Sequence, residues 1–355
     1  MAKTRRKYQF LFLGIFIGVI FISCTTWKSR GIPPSKADGS YDSEYPSANP
    51  SQSIKTITRS VYKLHSMAFY RSFTISQRSK ITTSNIERNE VESIAVGDTI
   101  FNQSVIGSAT ILYAENSQIA LLTCAHVVDF PDTLVRYYPR ETQSAAPRLI
   151  QVIAYKIRQQ NYITSLPGTG DLEILASSDA LDLALVGTTF QFSPESPVIP
   201  LTYPLGNTAE LDWGNFVYLV GFPLGKKMIT QGLVSPLPGQ TPSFLIDAPF
   251  NQGMSGAPVL AIRDGIPNFE LVGIANAVAS KSQYVLTPDQ ENEDREASYI
   301  PDMPYSGEIF TSRTEKILYG VTYVIPTEDI LIFLRDNQTT LLSQGYDLTN
   351  LLPEK

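Results

Sequence analysis

The stretch Gly253-Met254-Ser255-Gly256-Ala257-Pro258-Val259 places a serine between two glycines at the head of a short apolar run. Glycines at such a turn permit tight geometry and a close approach of backbone to a ligand. A serine hydroxyl is a weak nucleophile near neutral pH, so the turn carries chemistry only if a base lies beside it. The chain holds two histidines, His65 and His126, and both precede Ser255. His126 lies in the run Leu121-Leu122-Thr123-Cys124-Ala125-His126-Val127, whereas His65 has no motif around it and reads as structural. Asp182 leads the apolar stretch Asp182-Leu183-Ala184-Leu185-Val186; Asp129 and Asp179 are rival acids, but neither leads such a stretch.

The serine turn by itself also resembles the nucleophile elbow of α/β-hydrolases, but that family runs serine, acid, histidine. No histidine follows Ser255, so the elbow lacks its base. The order His126, Asp182, Ser255 resembles the trypsin-like (chymotrypsin-fold) serine proteases. Gly221-Phe222-Pro223-Leu224-Gly225, Thr230 to Ser235, and Gly320 to Pro326 resemble the HtrA/Deg branch of that family. The likeness spans roughly residues 105–335. It departs from the branch in lacking a PDZ module after the last helix, in Met254 where the branch usually has Asn, and in Ala257 where a second glycine is usual. With Met254 also replacing the Asp of digestive trypsins, activation by insertion of a new N-terminus is not expected.

The resemblance implies an all-β fold of two six-stranded antiparallel β-barrels with a C-terminal helix. It implies a His126/Asp182/Ser255 triad and an oxyanion hole of the Gly253 and Ser255 backbone N–H groups. The base of the specificity pocket falls on Pro249, beside Phe250, where no acid stands, so a small or apolar P1 residue is expected rather than Arg or Lys. Gly273, Ile274 and Ala275 fall on the strand expected to pair with substrate backbone. Protein or peptide substrates are the implied partners, and no cofactor or metal is implied.

The rest of the pattern agrees. Short aromatic and β-branched runs at Val61–Ile75, Val105–Tyr113, Gln118–Leu122, Leu149–Ile157, Leu181–Val186, Asn215–Val220, Ile229–Val234, Phe244–Ile246, Leu271–Ala277 and Tyr319–Val324 read as strands of a barrel or sandwich. The first barrel is expected over about 54–205, a linker near Thr202 to Asp212, the second barrel over about 212–326, and a helix over about 327–343 with Thr327 as its cap. The segment 281–316 reads as a polar surface insertion, with five acids and one Arg within Asp289–Glu296.

With 355 residues, 43% of them hydrophobic and only two Cys and two His, the chain can bury a large core but cannot build a disulfide framework or a three-histidine metal centre. Residues 1–23 read as a signal peptide: Lys3, Arg5, Arg6 and Lys7, then an apolar run of about 15 residues, shorter than the roughly 20 of a membrane-spanning helix. Phe21-Ile22-Ser23-Cys24 resembles the bacterial lipobox, which implies lipidation of Cys24, export, and attachment to the membrane facing the periplasm or the cell exterior. Residues 24–53, rich in Ser, Pro, Gly and Tyr, read as a flexible tether. Removing residues 1–23 takes away four bases and no acid, leaving 24 bases against 34 acids and a net charge of −10, which argues against nucleic acid as a partner. Cys124 reads as a buried thiol. The alternative reading is a silent relative that binds extended peptides in the same cleft, and oligomeric state is not legible.

Overall fold

A computed structural model describes residues 37–46, 48–84, 86, 90–138, 147–166, 168–190, 197–237, 244–288 and 309–352. The expected signal segment, Cys24 and the first part of the expected tether, up to residue 36, lie outside the described residues. Among the described residues no helix is long and apolar enough to cross a membrane. A compact unit runs from Ser40 to Lys355.

Two β-structures build it. Strands β1 (Val61–Ile75), β2 (Ala95–Glu115), β3 (Gln118–Thr123), β4 (Thr133–Tyr137), β5 (Ile150–Tyr162), β6 (Glu173–Ser178) and β7 (Leu183–Thr189) form an antiparallel sheet in the order β4-β5-β1-β2-β3-β7-β6. Strands β8 (Phe216–Gly221), β9 (Met228–Pro236), β10 (Phe244–Ile246), β11 (Pro258–Ile262), β12 (Phe269–Pro288) and β13 (Ile309–Pro326) close an antiparallel barrel, β10-β13-β12-β11-β8-β9. The fold is thus all-β and two-lobed, with a closed six-stranded second barrel. The first lobe is a half-barrel with seven strands where six were expected. The short helices are α1 (Ser51–Arg59), α2 (Val91–Ile94), α3 (Ala125–Val128), α4 (Thr327–Asp336) and α5 (Gln338–Ser343).

The apolar runs follow from what covers each strand. In β8, Val217 and Leu219 join the barrel core with Phe244 and Val259, while Phe216, Tyr218 and Val220 pack with Ile57, Val61 and Leu201 on the other face. Both faces are covered, so the sequence is continuously apolar instead of alternating. The first-lobe core holds Leu121, Leu122, Leu185 and Val186, and the C-terminal residues Ile330, Phe333, Leu334, Leu341 and Tyr346 complete it.

The structure corrects three expectations. Residues 40–53 do not all serve as tether. Tyr41 is 4% exposed, its hydroxyl donates to Glu270 Oε2 at 2.6 Å, and Arg263 lies 4.0 Å from its ring centroid; burial and the Glu270 carboxylate push its phenol pKa far up. Ser51 to Ser53 begin α1. One well-partnered aromatic anchors a segment that shows no periodicity. The segment 281–316 is in part a β-ladder, with Ser280 to Pro288 pairing Ile317 to Ile309; backbone bonds need no buried stripe, so polar composition concealed them. Its acidic stretch Asp289–Glu296 lies outside the described residues. Finally, Pro326 occupies the cap position of α4, and the buried Thr327 hydroxyl instead donates to Leu271 O at 2.8 Å. Asn337 then divides the expected single helix into α4 and α5.

Candidate active site

Each lobe supplies part of one hydrogen-bonded chain. After β3 the backbone turns at once into α3, which carries His126. Asp182 stands just before β7, in a left-handed conformation (φ +50°), and β7 pairs with β3. That pairing fixes the relative position of the two residues. The Ala125 N–H donates to Asp182 O at 3.1 Å, and the His126 N–H donates to Asp182 Oδ1 at 2.9 Å. The ring then meets the carboxylate, Nδ1 to Oδ2 at 2.7 Å. Ser255, from the turn before β11, places Oγ 2.9 Å from His126 Nε2. Its hydroxyl also lies 3.2 Å from Asn276 O. With one proton to donate, it serves Nε2 or Asn276 O at any moment, and only the first is aligned for proton transfer.

The glycines of the serine turn are required for sterics. Gly253 (φ +101°) and Gly256 (φ +83°) hold conformations that L-residues rarely adopt. A Cβ on Gly253 would collide with Phe222 O, and one on Gly256 with Ser108 O. Gln252 O accepts from the Leu224 N–H at 2.8 Å, which turns the following Gly253 N–H the opposite way, as a trans peptide demands. Among the described residues neither the Gly253 N–H nor the Ser255 N–H has an acceptor. Two unpaired donors flanking a nucleophile can stabilise developing negative charge on a carbonyl oxygen.

Sequence reasoning missed Ser108. This fully buried hydroxyl donates to Gly253 O at 2.8 Å and accepts the Phe222 N–H at 3.0 Å, clamping the turn that carries the donors to the segment behind it. Its N–H donates to Ser255 O at 2.8 Å, and its carbonyl accepts from Thr123 Oγ1 at 2.8 Å. Nothing in Ile106-Gly107-Ser108-Ala109 marks it beyond a small polar residue entering an apolar run.

The other expected residues are dispersed. Pro249 is exposed, while Phe250 is 6% exposed and packs in the barrel core with Met254. Gly273, Ile274 and Ala275 cannot pair with a substrate. Gly273 lies between Val259 and Pro326, Ile274 between Pro258 and Ile325, and Ala275 exchanges backbone bonds with Gly256 and Ala257. Both sides of that stretch are occupied; past it, from Asn276 onward, β12 pairs with β13 alone among the described strands. His65 stacks on Tyr162 at 5.1 Å with its Nε2 buried and unpartnered, and desolvation, then Lys63, lowers its pKa.

The rival acids Asp129 and Asp179 share an open cavity of about 370 Å³ with His126 and Asp182. Burial, then Asp179, pushes the Asp129 carboxyl pKa up. Cys124 is fully buried, and its Sγ lies 3.5 Å from Ala275 O. Ligand atoms of Cys124, His126 and Asp182 fall within 4.8 Å of one another. They make a poor cation site, because His126 and Asp182 engage each other and burial raises the thiol pKa well above its ordinary value.

Residues 107–274, just under half of the chain, match the family model of the trypsin-like peptidase domain. The match supports a serine-type peptidase. No curated protein matches the chain. Among solved structures it is similar to a thermostable serine protease from an extremophilic microorganism, at 10% identity over 76% of this chain and 97% of that one, with a TM-score of 0.33, a likeness too slight to build on.

Proposed function

We propose that the protein is an exported, lipid-anchored serine endopeptidase. The observation that carries this reading is the unbroken chain from Asp182 through His126 to Ser255, with distances of 2.7 and 2.9 Å, beside two unpaired backbone donors. His126 takes the Ser255 proton as Oγ bonds to the substrate carbonyl carbon, and the carbonyl oxygen becomes an oxyanion held by the Gly253 and Ser255 N–H groups. His126 then passes the proton to the leaving amine as the C–N bond breaks. Water repeats the sequence to release the acyl group and restore the hydroxyl. Asp182 fixes the tautomer and stabilises the imidazolium without taking the proton.

The absence of an acid at Pro249, where the family resemblance places the pocket base, favours small or apolar P1 side chains. Export and anchoring through Cys24 rest on the lipobox-like Phe21-Ile22-Ser23-Cys24, and placement in the HtrA/Deg branch on Gly221–Gly225 and Gly320–Pro326. Intact mass after fluorophosphonate treatment tests the core of the reading. A single adduct on the parent and none on Ser255→Ala is expected; no adduct on folded parent protein would favour the silent peptide-binding alternative.

A further inference from the structure

Strand β2 is far longer than the barrel wall it helps to build. It pairs with β3 only from Thr110 to Glu115, whereas it pairs with β1 without a break from Thr110 back to Gly97. Among the described residues no strand pairs with the other edge of Gly97–Ile106, and most of that stretch is exposed, with Ile100 at 64%. The edge leads directly to the nucleophile, because the Ser108 N–H donates to Ser255 O.

The direction of the backbone groups along this edge follows from parity. Both the N–H and the C=O of Ser108 point away from β1, one to Ser255 O and the other to Thr123 Oγ1. In an antiparallel ladder without a bulge such residues recur at every second position. The register from Ser108↔Lys63 to Asp98↔Phe73 is unbroken, so Ile106, Ser104, Asn102, Ile100 and Asp98 all present N–H and C=O outward. The odd residues face β1, in keeping with the bond from Ser72 Oγ to Thr99 O. The open row spans about 27 Å at the strand rise of about 3.4 Å per residue. Exposed edges are normally blunted by proline, lysine or shortness. Ala95 to Ile106 contains neither proline nor lysine, and its one charge, Asp98, is engaged by Arg71 at 2.9 Å.

Resting on the peptidase reading, we propose that the edge of β2 from Asp98 to Ile106 is a binding site for extended polypeptide on the leaving-group side of the scissile bond. The substrate adds as an antiparallel strand running away from Ser255. The substrate class is therefore unstructured polypeptide with about ten residues beyond the cleavage point, rather than short peptides. Exposed Ile100 favours a β-branched or aromatic side chain opposite it.

The test is a peptide series with constant residues before the cleavage point and two to twelve after it. We expect kcat/KM to rise roughly 30-fold in total and level off near ten, as successive backbone bonds form. N-methylation of alternate leaving-side amides should cost activity at one parity and little at the other. Asn102→Pro, which removes an outward N–H and spares the ladder to β1, should flatten the length dependence while cleavage of the shortest peptide is unchanged. A flat series, or equal cost at both parities, overturns the proposal. If no peptide is cut and no fluorophosphonate adduct forms, the peptidase reading fails instead. Strand addition is then read from hydrogen exchange on Ser255→Ala, where the longest peptide should protect residues 98, 100, 102, 104 and 106. Absence of that protection, or protection that grows with protein concentration and no peptide, as when a second copy covers the edge, overturns it.

Discussion

Asp182 holds His126 at two points, with Oδ1 on the backbone N–H at 2.9 Å and Oδ2 on ring Nδ1 at 2.7 Å. Asp182→Asn should separate orientation from folding. Asn tolerates the left-handed backbone and can keep the bond to the backbone N–H, but its NH₂ cannot accept from Nδ1–H. The ring is then driven to the wrong tautomer. We expect kcat to fall about 10⁴-fold with a melting temperature near the parent's, checked by peptide hydrolysis and thermal unfolding.

Ser108→Ala should slow fluorophosphonate labelling by about tenfold or more, since one lost oxyanion donor costs on the order of 10²–10³ and this change loosens the turn without deleting a donor. It leaves Gly253 O and the Phe222 N–H unpaired in a buried site, so unfolding in urea should come about 1–3 kcal/mol more easily. Labelling at the parent's rate would mean that the turn holds its shape unaided.

Gly253→Ala is expected to abolish labelling. The added Cβ meets Phe222 O, so the peptide carrying the oxyanion donor has to turn away. Histidine NMR should still report the bond between His126 and Asp182, which distinguishes this loss from collapse of the site.

His65 gives stability a pH dependence of known sign. Its folded pKa is lowered by burial, below the ordinary value of about 6.5, so in that window the unfolded chain binds the extra proton. The contribution is complete above about 6.5 and is lost as pH falls from there toward the folded pKa. His65→Gln should flatten that segment of a plot of unfolding free energy against pH.

Phe333→Ala should destabilise the protein by about 3–5 kcal/mol. Phe333 is 1% exposed and packs in the first-lobe core. Urea unfolding followed by Trp fluorescence would measure the loss.

The sequence exposed what packing dictates and hid what backbone bonding dictates. His126, Asp182 and Ser255 were legible because each sits at the end of an apolar run that becomes a core strand. The reading of β2 began at Val105, yet the strand begins at Ala95; residues 95–104 are mostly exposed and so leave no periodic trace. The outer part of β12 was missed because its sequence is polar and backbone pairing alone holds it in the ladder. Gly273 to Ala275 were misplaced because a strand in sequence does not reveal which of its edges is free. Ser108 and Tyr41 act through local sets of hydrogen bonds around one side chain, which leave no pattern of spacing.

The last helices of the chain complete the core of the lobe that is made first. Ile330, Phe333, Leu334 and Leu341 cover apolar residues of β3 and β7, the strands that set His126 against Asp182. During synthesis, the early lobe therefore waits with that core open until some 150 further residues have followed Thr189. If the proposed peptidase reading holds, hydrolytic competence arrives with these helices rather than with the serine itself. A chain still emerging holds Ser255 without the scaffold that sets His126 against Asp182.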